Sequence, residues 1–391
     1  MDTIELFAGG GGLALGLHGA GFSPVAVVER DADSCGTLRE NWLRGMGVKL
    51  DLFDIDIRQV DFSGWHERVE LVSGGPPCQP FSIGGKHRGC KDSRDMFPHA
   101  VNVVRTVQPK AFIFENVRGL LRKSFAKYFG YILLQLQYPE VFFRENETWP
   151  EHLARLEEHH TAGKVTGLRY RVVFQKINAA DYGVPQHRER VVIVGFRWDI
   201  QEPWSFPFPT HSSDALDSAM WLSGSYWDEH HISRAHRPQP PTEVIRRLKR
   251  IETLSFSARW RTLRDALAGL PDPQAAEASR VPNHRFQSGA RKYPGHTGSE
   301  LDCPAKTLKA GDHGVPGGEN MIAFPDGTVR YFTVRESARI QTFPDWYVFP
   351  GSWTESMRQI GNAVPVTLAK VIGTSVAATL RAHQRRQLRN Q

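Results

Sequence analysis

Cys78 stands in Ser73-Gly74-Gly75-Pro76-Pro77-Cys78-Gln79-Pro80-Phe81-Ser82, directly after the apolar run Leu71-Val72. Prolines on both sides remove backbone donors and stiffen the chain, which fixes the direction of the thiol. The block follows a strand, at the carboxyl end where open α/β sheets bind ligands. A structural cysteine sits more often inside an apolar run, as a small core residue. The frame therefore favours a nucleophile over a core or turn cysteine. Cys35, Cys90 and Cys303 lack such a frame and read as bland thiols. No Cys-x-x-Cys pair occurs, which argues against a zinc knuckle or a disulfide framework, and no metal is expected.

Two further groups could work with that thiol. Glu115 closes the apolar run 111–114 and opens Glu115-Asn116-Val117. Pro185-Gln186-His187-Arg188-Glu189-Arg190 leads into the strand 191–194. In extended chain Arg188 and Arg190 point to one face. Two guanidiniums aimed together clamp a carbonyl oxygen or a phosphate; a solvated strand edge is the alternative. A thiol, an acid and an arginine pair, all at strand ends, outline one active site.

A second cluster reads as a binding site. Phe7-Ala8-Gly9-Gly10-Gly11-Gly12 lies between the first strand and a helix, and Glu29 ends the second strand 20 residues after Gly9. In a dinucleotide-type fold a carboxylate there meets ribose hydroxyls. The arrangement signals a nucleoside-containing cofactor, or only a tight strand-to-helix turn. No Gly-Lys-Ser/Thr follows, so phosphate is not the obvious ligand. Asp56, before Ile57, would end a third short strand and accept from an adenine amino group, or be a plain turn aspartate.

The elements that must carry these residues are legible in outline. The chain has 391 residues, enough for two or three units at roughly 150 residues each. Hydrophobic residues at 40% and charged residues at 23% are ordinary for a globular protein and exclude wholesale disorder. The first 200 residues repeat a strand–turn–helix texture, with helices after Gly12 and over 98–107, which predicts a mainly parallel α/β sheet. A polar, Glu- and His-rich insertion at 136–168 adds little apolar pattern. From about residue 199 to 330 the chain is rich in Gly, Pro, His and Arg, with one amphipathic helix over 243–252. Residues 363–380 read as a closing helix. There is no run of about 18 apolar residues and no basic leader, so the expected setting is cytoplasmic, with no membrane span.

Taken together, these blocks resemble the DNA (cytosine-5) methyltransferases of bacterial restriction–modification systems, which use S-adenosylmethionine. The matches run in family order: Glu5 to Gly12; Glu29; Asp56-Ile57; Pro76 to Ser82; Glu115-Asn116-Val117; and Gln186 to Arg190. They continue through Arg335 to Pro344 and Gln359 to Pro365, spanning nearly the whole chain. The cysteine block with Glu-Asn-Val is specific; the glycine turn alone is not.

The resemblance implies a Rossmann-like catalytic domain from 1–198 plus about 359–391, with a smaller, loop-rich recognition region at about 199–330. A connecting segment would run from about 331 to 358. It implies that Cys78 attacks C6 of a flipped cytosine while Glu115 bonds the ring N3 and amine, and that Arg188 and Arg190 steady the O2 side. Phe7, Gly9, Gly11 and Gly12 would shape the cofactor pocket, Glu29 hold the ribose, Asp56 and Ile57 the adenine, and Asn362 the methionine end. Arg30 departs from the pattern, since some relatives carry an aromatic residue there.

The implied partners are double-stranded DNA and, as a genetic rather than physical partner, a cognate restriction endonuclease; the enzyme would be a monomer. A nicotinamide oxidoreductase would leave the framed thiol and the arginines idle. A silent DNA-binding relative has no use for an intact Cys78 and Glu115. Structured RNA is the closer rival, but RNA-modifying relatives have a shorter recognition region. The charge map agrees with DNA. Lys and Arg exceed Asp and Glu by 49 to 42, and residues 231–264 alone hold nine bases against two acids.

Overall fold

The structure is a computed structural model that describes residues 1–77, 95–162, 167–250, 257–310 and 320–389. Cys78, Cys90 and the end of the amphipathic helix beyond Arg250 lie outside the described residues. Seven strands form the main sheet: β1 (Asp2–Leu6), β2 (Ser23–Val28), β3 (Asp51–Phe53), β4 (Leu71–Gly74), β5 (Ala111–Val117), β6 (Tyr170–Asn178) and β7 (Glu189–Arg197). Their order is β3-β2-β1-β4-β5-β7-β6. The first five pair in parallel, and β7 runs antiparallel to both β5 and β6. The expected mainly parallel, Rossmann-like sheet is what the chain builds.

Helices α1 (Gly12–Gly19), α2 (Ala32–Leu38), α3 (Phe97–Val107), α4 (Ala126–Gln137) and α5 (Trp149–Thr161) belong to this half. Side chains on β5 alternate with period two. Phe112 and Phe114 join the core under α3 and α4, while Ala111 and Ile113 face the core that α1 shares with the C-terminal helix. Both faces are covered, which is why the strands read as continuous apolar runs.

Beyond the sheet the elements are short: β8 (His211–Ser212), α6 (Ser213–Trp221), α7 (Ser225–Glu229), α8 (Thr242–Leu248), β9 (Ala258–Arg259), α9 (Leu263–Leu267), β10 (Ser299–Glu300), β11 (Met321–Ala323) and β12 (Val329–Tyr331). Then follow α10 (Val334–Ile340), α11 (Trp353–Asn362) and α12 (Val366–Arg389). The stretch 353–389 is long and apolar enough by composition to cross a bilayer, but it is mostly buried in the core.

Three sequence expectations are corrected. The third strand ends at Phe53, and Asp56 instead caps a 3-10 turn, its carboxylate accepting from the Arg58 backbone N–H at 3.0 Å. The insertion at 136–168 does build an element, α5. Its buried face is only Leu153 and Leu156, and the polar His152 completes it between Tyr131 Oη at 2.8 Å and the Val141 carbonyl at 2.6 Å. An apolar count misses such a face. The closing helix starts at Val366, after Pro365, and runs to Arg389.

Glu5, inside β1, is 1% exposed, and the Ser73 hydroxyl of neighbouring β4 donates to its carboxylate. Burial pushes this carboxyl up from 4.5 to about 8, with bonds from Ser73 and the Ala14 backbone opposing. Between those values the folded chain holds a proton that the unfolded chain has released, so stability falls as pH rises through the window. Glu5→Gln is therefore expected to raise the melting temperature. Its advantage should grow between about pH 5.5 and pH 8.5 to roughly 2–4 kcal/mol. Melting curves whose gap stays constant across that range would refute the assignment.

Candidate active site

Glu115 and Arg190 meet at the carboxyl end of β5. The β5–β7 register sets Arg190 opposite Val117 and Val192 opposite Glu115, so the two side chains are diagonal neighbours on one face. Glu115 Oε1 lies 2.7 Å from Arg190 Nε, and both side chains are about nine-tenths buried. The contact is an ion pair without an aligned hydrogen bond, which leaves Oε1 capacity to bond another group. Burial pulls the Arg190 pKa down, and Glu115 opposes that shift. Glu115 Oε2 points toward Gly75, where a Cβ would stand 3.7 Å away.

Asn116 ties this strand end to the chain that leads to Cys78. Its buried amide donates to the Pro76 carbonyl at 2.8 Å, and its Oδ1 accepts from the Val117 N–H at 2.9 Å. Pro77 in turn accepts from the Met96 N–H at 3.2 Å. The last described residues before Cys78 are therefore fixed to the strand carrying Glu115. Sequence reading quoted Asn116 in its tripeptide but gave it no task; a polar residue next to an acid at a strand end was the available signal.

Arg188 does not join Arg190 in a clamp, which corrects the expectation. It precedes β7 and is fully buried, with its fork on backbone carbonyls: Leu308 at 3.2 Å, Gly361 at 2.8 Å and Ala363 at 2.9 Å. The same-face rule holds only inside a paired strand. Residue 186 instead bridges to Ala305, which turns Arg188 toward the later segments. Gln186, also buried, accepts from the Leu308 N–H at 3.0 Å and donates to Gln341, whose amide reaches the Ile360 carbonyl at 2.7 Å. Arg335 holds the Pro282, Pro344 and Tyr347 carbonyls in the same way. These side chains are a buried polar frame joining the sheet to the segments 305–310 and 335–363.

At the far side of β1 the glycine turn packs on the C-terminal segments. Gly11 has φ 80°, and a Cβ there would come within 2.6 Å of Tyr347 Oη; one on Gly12 would come within 2.4 Å of the Val364 carbonyl oxygen. Those two glycines admit neighbouring chain, whereas Gly9 faces open space. Phe7, half-buried, is held at φ 55°, a left-handed conformation that is strained for a bulky side chain. Glu29 sits under the turn. Its carboxylate accepts from the backbone N–H groups of Gly9 at 2.7 Å, and of Arg30 and Asp31 at 2.8 Å each. Asp56 is grasped by Arg58 at 2.8 and 2.7 Å, and that guanidinium holds its carboxyl well below the usual carboxylate range. Ile57 beside it is buried, and Asn362 is exposed at the end of α11.

The chain matches the family described as C-5 cytosine-specific DNA methylase over residues 1–139 and 133–378. It is 31% identical over 389 residues to the Type II methyltransferase M.AplI of Arthrospira platensis, covering 97% of this chain and 86% of the relative. It is 32% identical to the Type II methyltransferase M.PspPI of a Psychrobacter species, covering 97% and 80%. The fold is similar to that of the S. pombe Dnmt2 methyltransferase, with a TM-score of 0.55 at 17% identity, covering 98% and 99% of the two chains. A relative above 30% identity aligned along nearly the whole length shares more than a fold: this chain belongs to the C-5 cytosine-specific DNA methylase family and is a DNA cytosine-5 methyltransferase.

Proposed function

We propose that the chain methylates C5 of a cytosine within a specific double-stranded sequence, using S-adenosylmethionine, and so protects its host's DNA from a cognate restriction endonuclease. The observation that carries this reading is the Glu115–Arg190 pair, joined through Asn116 to the approach to Cys78. Cytosine C5 is too weak a nucleophile to take a methyl group unaided. A Cys78 thiolate adding to C6 would make C5 enamine-like, and its departure after loss of the C5 proton would free the enzyme. Glu115 would hold N3 and the exocyclic amine as charge develops, and Arg190 would both fix Glu115 and face the O2 side. The target atoms lie inside the duplex, so the base must be flipped out to reach them.

The residues present fit the cofactor. Gly9 opens onto free space beside Glu29, and Phe7 is strained into the turn, as expected at a ligand clamp. When bound, S-adenosylmethionine supplies an electrophilic methyl group. Glu29 would accept from the ribose, Asp56 from the adenine amine, and Ile57 and Asn362 would flank the two ends. Residues of about 199–330 would read the target sequence, with 331–358 connecting them to the catalytic part. Bisulfite sequencing of plasmid DNA made alongside this protein should find 5-methylcytosine at one recurring sequence. Unmodified plasmid would overturn the reading, and methyl incorporation into RNA alone would replace DNA with RNA.

Asn116→Ala should lower kcat by about 10- to 100-fold with little change in cofactor affinity, since a misaimed nucleophile loses orientation rather than binding. Steady-state kinetics with tritiated cofactor separate the two. A rise in KM with kcat intact would show that Asn116 does not aim the thiol.

A further inference from the structure

Between β5 and α4 the chain makes two 3-10 turns, Arg118–Leu121 and Lys123–Phe125. Leu120 and Phe125 are buried in the core under α3 and α4, which pins the segment at both turns. Arg118, Arg122 and Lys123 are left on the outside, and Lys127 follows, exposed, in the first turn of α4. From Arg118 to Gln137 there are four cations and no acid. Arg118 directly follows Val117, the last residue of β5, so the row begins at the sheet edge that carries Glu115 and Arg190.

Folding gives these cations little to do. Arg118 donates to Glu189, which also holds Lys176 Nζ at 2.8 Å, so two cations share one carboxylate. Lys127 Nζ stands 5.7 Å from the centre of the Trp149 ring. Among the described residues no acid pairs with Arg122 or Lys123. A helix start is the positive end of the backbone dipole, where acids stabilise and cations oppose. Helix α4 has no acid in its first turn and no side-chain cap. A merely solvated face would be better served there by Glu or Ser. The row works against the helix it precedes, and an anionic partner would offset that.

A cytosine that reaches Glu115 hangs from a duplex lying across this same edge, and DNA presents one negative charge per about 1.7 Å of helix axis. We propose that Arg118, Arg122 and Lys123 form a phosphate-binding strip on the catalytic half, which holds the DNA backbone beside the flipped base. The strip positions the duplex and reads no sequence, in contrast to the region 199–330. This rests on the double-stranded DNA reading above.

The test is fluorescence anisotropy of the full chain with two duplexes, between about 50 and 200 mM salt. One duplex carries the sequence found methylated in plasmid, and the other has that sequence scrambled. The double variant Arg122→Gln, Lys123→Gln should bind both duplexes about three- to thirtyfold more weakly, by the same factor. The slope of log affinity against log salt should flatten by about two. Its melting temperature should equal or exceed that of wild type, since the removed charges oppose the helix dipole. Arg385→Gln is the control. It removes an exposed charge from α12 beyond Arg381, which lies against Gly21 at the opposite edge of the sheet, and should leave the slope unchanged. An unchanged slope in the double variant would overturn the proposal, and so would equal flattening in the control. A loss confined to the methylated sequence would overturn it too, because the pair would then read bases. Weak binding with a lowered melting temperature would make the pair structural and would also overturn it. If wild type retains neither duplex, the DNA reading itself falls, and that failure shows without any variant.

Discussion

Cys78→Ser is expected to leave no measurable turnover, with tritiated methyl transfer to DNA down by on the order of a thousandfold or more. A thiol is a few per cent ionised near neutral pH and its thiolate is intrinsically nucleophilic, whereas a serine hydroxyl is scarcely ionised at all. The exchange of one small side chain atom removes the attack on C6 but little contact area. DNA retention on a gel and cofactor affinity should each stay within about threefold of wild type. The proline frame supports this separation of binding from chemistry: Pro76 is held by Asn116 and Pro77 by Met96, whatever side chain follows. Unimpaired methylation by the serine variant would end the covalent mechanism.

Arg188→Ala is expected to fail in a different way from Arg190→Ala. Removing Arg188 strips the buried carbonyls of Leu308 and Gly361 of their side-chain donor and leaves that of Ala363 only the Gln341 amide at 3.2 Å. Each orphaned carbonyl costs about 1–3 kcal/mol, so a total of roughly 3–5 kcal/mol is reasonable after local relaxation. The melting temperature should fall by about 5–15 °C. Arg190→Ala leaves Glu115 without its charge partner. That variant should lose about 100- to 1,000-fold in kcat, in addition to the stability lost when a buried carboxylate is left without its partner. Thermal melts beside single-turnover rates distinguish the two. An Arg188→Ala protein that melts with wild type would mean that Arg188 is not the strut its contacts describe.

Glu115 and Glu29 were legible as strand-end acids because a parallel sheet writes each strand as an apolar run, and the first polar residue after it marks the ligand edge. The glycine turn was legible for the same reason, though not the division of labour within it. Gly11 and Gly12 make room for Tyr347 and Val364, and only Gly9 opens outward. Arg188 was not legible. Its spacing from Arg190 suggested a shared face, but its partners lie more than 100 residues away, at Leu308, Gly361 and Ala363. Helix α5 was missed because a buried histidine with two good partners counts as polar in any periodicity. Local pattern thus reached the residues at strand ends. It did not reach those whose role is set by chain that returns late in the sequence.

That late return bears on how the protein is made. The Tyr347 hydroxyl donates to the Gly10 carbonyl across 337 residues, and Arg358 reaches back to Asp31 across 327. During synthesis the first strands emerge early, but the turn that follows β1 waits for its packing partners until residues 347–364 have left the ribosome. An N-terminal fragment, whether prematurely terminated or clipped in the irregular middle, has Cys78 and Glu115 but lacks the groups that pack on the glycine turn. The turn after β1 is thus completed only once the segments around Tyr347 and Arg358 have been made, which ties the folding of the first strands' ligand edge to chain synthesised more than 300 residues later.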